Sequence, residues 1–120
     1  MQVELLKSKI HRATITSSSL HYEGSMTIAS DLMEKVGMFP FEKILCSNMS
    51  NGERFETYAI AGEAGSGAIV LNGATARLGT EGDLLTIMSF TRVEASEAQG
   101  WQPRVIVLGE KNLIVNERSI

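Results

Sequence analysis

At 120 residues, 43% of them hydrophobic and 21% charged, the chain has the size and composition of one globular domain around a single core, not of a disordered or membrane protein. A net charge of −3 with no concentrated run of Lys and Arg argues against nucleic acid as the main partner, because neutralising phosphates needs a cationic surface. The one cysteine, Cys46, lies in the apolar Ile44-Leu45-Cys46, which excludes a disulfide framework and reads as a buried thiol.

The N-terminus carries Glu4, Lys7, Lys9 and Arg12, charges that a signal peptide's apolar segment does not tolerate. No apolar run reaches the ~18 residues of a membrane-spanning helix, so the expectation is a cytoplasmic protein. Residues 3–16 alternate polar and apolar side chains and read as a long strand, and Ser25-Met26-Thr27-Ile28 as a short one. Residues 30–37 read as a helix: Ser30 is a candidate N-cap, Leu32, Met33 and Val36 share a face, and Gly37 stands where helices stop. Pro40 follows the break.

Strands over 43–49 and 54–60 flank Asn51-Gly52, a dipeptide suited to the positive φ of a hairpin turn. After the glycine-rich 62–67, apolar strands centre on 68–71, 84–88 and 104–108, and Asn112-Leu113-Ile114-Val115 reads as a last strand. Six or seven short strands with one or two short helices predict a mainly β fold, a small closed barrel over residues 1–120, in which closure removes exposed edges.

Familiar motifs are missing. Gly62, Gly65 and Gly67 stand in G-x-x-G-x-G order, the reverse of a dinucleotide fingerprint, and no P-loop or G-x-S-x-G elbow occurs. His11 and His21 are the only histidines and no second cysteine supports them, so no metal site is expected. Without metal, nucleotide or triad, catalysis needs an electrophile, and ordinary side chains do not supply one. A serine can be converted into one.

Gly24-Ser25, within His21-Tyr22-Glu23-Gly24-Ser25-Met26-Thr27-Ile28, is a candidate. A serine hydroxyl held against the preceding carbonyl can attack it, moving the acyl group from nitrogen to oxygen. Glycine before it accepts a positive φ or a conformation strained by ~1–3 kcal/mol. Alignment of nucleophile and carbonyl can contribute ~7–11 kcal/mol of the barrier. Elimination from the ester would split the chain after Gly24 and leave dehydroalanine, then a pyruvoyl group, at residue 25. Gly-Ser pairs are common, and Gly65-Ser66 is a second one here, so a plain turn is the alternative.

Residues 11–28, H-R-A-T-I-T-S-S-S-L-H-Y-E-G-S-M-T-I, closely resemble the processing segment of the pyruvoyl-dependent aspartate 1-decarboxylases. L-L-K-S-K-I-H at the start, N-G-E-R-F-E-T-Y-A-I at 51–60 and G-S-G-A-I-V-L-N-G-A-T-A at 65–76 agree in order and spacing. The resemblance implies a six-stranded double-psi β-barrel, self-cleaved into 1–24 and 25–120 and assembled as a homotetramer with sites between subunits. It implies conversion of L-aspartate to β-alanine and CO2 for pantothenate and coenzyme A synthesis, by a covalent pyruvoyl group derived from Ser25, without metal or PLP.

Carried over by residue, the resemblance makes Ser25 the pyruvoyl precursor, Gly24 the new C-terminus and Tyr58 the proton donor to the α-carbon. A phenol of pKa ~10 holds its proton at neutral pH, as that role requires. Thr57 would bond near the Gly24 carbonyl during processing and later line the substrate site. Arg54 would grip a substrate carboxylate and Lys9 add positive potential. Asn72, Gly73, Ala74 and Thr75 would hold the substrate, with His11 and Tyr22 framing the pocket. Met26 and Thr75 depart from the family pattern, which has smaller residues after the serine and alanine at the second position. Each residue also has a bland reading, such as a strand tyrosine, a solvated hairpin arginine or an Asn-Gly turn. Two rival functions stay open: a non-catalytic β-barrel that binds a ligand or protein, and a serine hydrolase using Ser25 with His21 or His11.

Overall fold

Thirteen residues of alternating pattern build β1 (Gln2–Thr14), and the computed structural model, which describes residues 1–120, places a bulge within it. Ser8 and Ile10 point inward, yet so do Ala13 and Ile15, a change of parity that strict alternation forbids. Arg12, at a φ of 62° and inside a register shift between Ile10 and Ala13, supplies the extra residue. Beyond Thr14 the chain changes partners. The Thr16 N–H donates to the Ile69 carbonyl at 2.8 Å, and the Thr16 hydroxyl accepts from the Ile69 N–H at 3.0 Å.

The remaining strands are β2 (Ser17–Ser19), β3 (Ser25–Ala29), β4 (Lys43–Asn48), β5 (Arg54–Gly62), β6 (Ile69–Asn72), β7 (Leu84–Glu94), β8 (Arg104–Leu108) and β9 (Ile114–Arg118). They pair in the order β2-β6-β3-β5-β4-β7-β1-β8-β9. Because β2 continues β1 along the chain, the first seven positions close into a ring of six strands. β8 and β9 are added beside β1. The small barrel expected from the sequence is therefore present, but in nine strand segments: one barrel strand is interrupted, and a two-strand extension lies outside the ring. Pairing is mixed, with β2/β6, β3/β5 and β1/β8 parallel and the rest antiparallel, so the barrel is not a simple meander.

Ile10, Ile87, Cys46 and Phe55 stand opposite one another across β1, β7, β4 and β5, all buried, and form one rung of the core. The helix α1 (Ser30–Val36) lays Leu32, Met33 and Val36 against this core. Its N-cap is Ala29 rather than Ser30, and no side chain bonds the cap. Gly37, at a φ of 70°, ends it as expected, and the Ser8 hydroxyl donates to the free Val36 carbonyl at 2.6 Å. A second helix, α2 (Ala95–Ala98), follows β7. Neither is long and apolar enough to cross a membrane.

The β4/β5 hairpin is present, but not as a two-residue turn on Asn51-Gly52. Pairing stops at Ser47 and Arg54, and the loop is organised by the Asn48 carboxamide, whose oxygen accepts from the Ser50 N–H at 2.8 Å. Only Gly52 takes positive φ. Asn112 does not begin the last strand. It sits in a 3₁₀ turn at a φ of 56°, buried, with its carboxamide accepting from the Thr14 N–H and donating to the Thr14 and Gly67 carbonyls at 2.8–2.9 Å.

Candidate active site

Residues 16–24 are exposed and Ser25 is completely buried, so the chain enters the barrel at the Gly24-Ser25 bond. Ser25 opens β3 opposite Asn72, the last residue of β6. The Asn72 side-chain N–H donates to Ser25 Oγ at 3.1 Å and to Thr27 Oγ1 at 2.9 Å. Residues two apart on a strand share a face, which is why one amide reaches both hydroxyls. Ser25 Oγ donates in turn to the Glu23 carbonyl at 3.4 Å, keeping the hydroxyl on the side of its own preceding backbone.

Gly73 begins a 3₁₀ turn (Gly73–Arg77) at a φ of 65°. A Cβ there would lie 2.7 Å from the Gly24 Cα, 2.8 Å from the Gly24 nitrogen and 2.8 Å from the Tyr22 carbonyl oxygen. The need for glycine therefore falls on Gly73. Gly24, expected to hold the unusual conformation, is not at positive φ, and a Cβ on it would meet nothing within 4 Å. Thr75 is buried within the same turn, its hydroxyl 2.7 Å from the Asn72 carbonyl and 3.4 Å from the Ser25 carbonyl. Ala74 between them is exposed.

On the other side of β3, Met26 pairs with Ala59 in parallel register, so Thr57 and Tyr58, the residues just before Ala59, lie alongside the start of β3. Both are half-buried. Tyr58 also packs near Phe41, with ring centroids 6.4 Å apart.

Lys9, His11 and Arg54 form a separate group. His11 Nδ1 lies 3.3 Å from Thr86 Oγ1, and Thr86, Ser47 and Arg54 stand opposite one another across β7, β4 and β5. This row faces outward, since the intervening residues Ile10, Ile87, Cys46 and Phe55 face the core. Partial burial, then the charges of Lys9, Arg12 and Arg118, lower the pKa of His11. Lys7 and Lys43 pair with Glu42 and Glu56 at 2.8 and 2.7 Å, whereas neither Lys9 nor Arg54 has a carboxylate partner. Around the ring, β3 is separated from β1 by β5, β4 and β7 in one direction and by β6 and β2 in the other, while Arg54 lies on β5, the neighbour of β3.

The structure thus brings together Gly24, Ser25, Tyr58, Asn72, Gly73 and Thr75, with Thr57 beside them on the inward side of β5, and places Lys9, His11 and Arg54 elsewhere along the outward side of the barrel, Arg54 four residues before Tyr58 on the same face of β5. Tyr22 touches the first group through its carbonyl near Gly73, while its ring is largely exposed. Two surface cavities, of about 310 and 320 Å³, open beside Lys43 and Glu56 and beside Lys7, Phe39 and Trp101, away from Ser25. Thr27 and Thr86 were not singled out in the sequence. Spacing by two from Ser25 could have marked Thr27; nothing local marks Thr86.

Residues 1–115 match the family model described as aspartate decarboxylase. The chain belongs to the aspartate decarboxylase family. Relatives named aspartate 1-decarboxylase include those of Prosthecochloris aestuarii, 52% identical over 93% of this chain and 87% of that protein, and Syntrophus aciditrophicus, 50% identical over 95% and 98%. The protein of Syntrophotalea carbinolica is 44% identical over 99% of this chain and 91% of its own length. For this aspartate decarboxylase chain the matched span takes in both groups of residues, around Ser25 and along the outward row, and ends within β9.

Proposed function

We propose that this chain releases CO2 from L-aspartate and leaves β-alanine, for pantothenate and coenzyme A synthesis in the cytoplasm, with an electrophile made from its own Ser25. The observation that carries the reading is the wholly buried Ser25 hydroxyl, held by the Asn72 amide at the point where the exposed chain enters the barrel. The residues present fit a group formed at residue 25: Gly73 leaves the space into which Gly24 packs, Asn72 turns a polar hydrogen toward Ser25 Oγ, and the Thr75 hydroxyl lies 3.4 Å from the Ser25 carbonyl.

In processing, Ser25 Oγ attacks the Gly24 carbonyl carbon, the bond from that carbon to the Ser25 nitrogen breaks, and the hydroxyl's proton passes through water to the freed nitrogen. The Asn72 N–H stabilises the negative charge that grows on Oγ as its proton leaves. Thr57, on β5 beside the start of β3, hydrogen-bonds near the Gly24 carbonyl during this step. The chain then parts into 1–24 and 25–120. A pyruvoyl group at residue 25 supplies an electron sink for the pair left behind by CO2, so neither metal nor PLP enters this reading. Tyr58 returns the proton of its phenol to the substrate α-carbon. Asn72, Gly73, Ala74 and Thr75 hold the substrate by their backbone and amide groups.

Arg54 grips the side-chain carboxylate and Lys9 adds positive potential, with His11 and Tyr22 as walls. Their separation from Ser25 within one chain supports a homotetramer in which each site joins two subunits. Exposed Tyr22, Phe39, Phe41 and Phe90 supply apolar surface for such contacts.

The test is a denaturing intact mass before and after warm incubation, with β-alanine formation measured on the same sample. Fragments 1–24 and 25–120, the larger lighter by one ammonia than a peptide beginning with serine, are expected with activity toward L-aspartate. A single unchanging mass with no β-alanine would overturn the reading in favour of a binding barrel.

A further inference from the structure

We infer that the Thr75 hydroxyl is a hydrogen-bond donor to the carbonyl oxygen of residue 25 and that it works in chain breakage itself; the inference rests on the reading of Ser25 given above. Thr75 is 8% exposed, and its Oγ1 lies between two carbonyls, Asn72 at 2.7 Å and Ser25 at 3.4 Å. A hydroxyl has one hydrogen. In the resting chain the shorter contact takes it. The 3₁₀ turn does not depend on this bond alone, because the Thr75 main-chain carbonyl accepts from the Leu78 N–H at 2.9 Å.

The balance changes when the ester between Gly24 and Ser25 Oγ eliminates. The Ser25 Cα–H bond breaks and its proton passes to water. The electron pair moves first onto the Ser25 carbonyl oxygen, then forms the Cα–Cβ double bond as the Cβ–Oγ bond breaks. Oγ leaves with Gly24 as a carboxylate oxygen. While charge stands on the Ser25 carbonyl, it is the stronger acceptor, since hydrogen bonds to a charged oxygen are roughly twice as strong as neutral ones. A small rotation about the Thr75 side chain redirects its hydrogen from Asn72. The donor thus strengthens its bond in the transition state rather than in the resting chain, which is the condition for accelerating the step.

The test follows the first-order loss of unbroken chain, by denaturing mass, in freshly purified parent, Thr75→Val, Thr75→Ala and Thr75→Ser proteins. Melting temperatures, and kcat and KM for L-aspartate after maturation, are measured alongside. Removal of one long oxyanion contact should slow cleavage roughly tenfold in the valine and alanine variants. Thr75→Ser, which keeps the hydroxyl, should cleave within about threefold of the parent. Valine and alanine variants cleaving at the parent rate, or serine failing to rescue, would overturn the donor role; alanine decides if valine does not fold. A parent chain that stays whole, like Ser25→Ala, would instead remove the underlying reading of Ser25.

Discussion

Gly73→Ala isolates the packing that holds Gly24 beside Ser25. The new methyl would stand 2.7–2.8 Å from three backbone atoms, the Cα and nitrogen of Gly24 and the oxygen of Tyr22. Carbon atoms pack at ~3.5–4.0 Å, so relief requires a displacement on the order of 1 Å. Backbone has no rotamer through which to escape, and the segment that must move is the exposed 22–24, held by the long bonds of the Tyr22 N–H to the Ser19 carbonyl and of Ser25 Oγ to the Glu23 carbonyl. Displacement of that size at a reacting bond costs ~10²-fold in rate. A φ of 65° adds about 1–2 kcal/mol of conformational strain for alanine, or roughly 5–10 °C in melting temperature for a domain of this size. The cleavage time course by denaturing mass and a thermal melt would measure both. Gly24→Ala is the comparison, because a methyl there meets nothing within 4 Å, and it should slow cleavage far less. Gly73→Ala protein that cleaves and melts like the parent would refute the packing argument.

Ser25→Ala should leave one unbroken mass and no β-alanine, whereas Tyr58→Phe should cleave but turn over slowly; full activity in Ser25→Ala would end the reading of this residue. Asn112→Ala leaves the Thr14 N–H and two carbonyls without partners and should cost about 2–4 kcal/mol by urea unfolding. Burial pushes the Cys46 thiol up to about 12, so an alkylating reagent at pH 8 should label only unfolded protein. The fold favours the protonated thiol, so its contribution is complete below the unfolded value of 9.0 and fades as pH rises toward about 12; the parent should lose stability over that window faster than Cys46→Ala. Ser25→Ala and Arg54→Ala chains, each inactive alone, should regain β-alanine formation when expressed together if sites join two subunits, and stay inactive if each chain is self-sufficient.

What was legible in the sequence was whatever is carried by near neighbours. Leu32, Met33, Val36 and Gly37 encode α1 within eight residues, and the paired strands around Asn51-Gly52 declare their own hairpin. The bulge at Arg12 was not legible, because a parity change is a property of pairing with β7, more than seventy residues away. Asn112 looked like the start of a strand because Leu113-Ile114-Val115 follow it, yet its conformation is fixed by Thr14 and Gly67. The site divides the same way. Gly24-Ser25 alone was an ordinary dipeptide, and only its resemblance to a family segment raised it. That Asn72 meets Ser25, and Thr75 the carbonyl of residue 25, depends on β3 pairing with β6.

Arg54 limits what one chain can do. It precedes Tyr58 by four residues of extended strand, about 13 Å, and Tyr58 lies alongside the start of β3. A substrate whose α-carbon sits at residue 25 has its side-chain carboxylate only two bonds further on. Arg54 and Tyr58 share a face of β5, so acting together on one bound L-aspartate would require both long side chains to lean toward each other across that span. His11, through Thr86, stands in the outward row of Arg54, and Lys9 stands in the next row, opposite Met88, Leu45 and Glu56. Cations left without carboxylate partners on an outward face are suited to meet the anion presented by another copy's Ser25. Lys9 and Arg54 lack carboxylate partners in one chain, but so do Arg12, Arg77, Arg104, Lys111 and Arg118, so it is the co-expression of Ser25→Ala with Arg54→Ala chains that decides for or against a site shared between subunits.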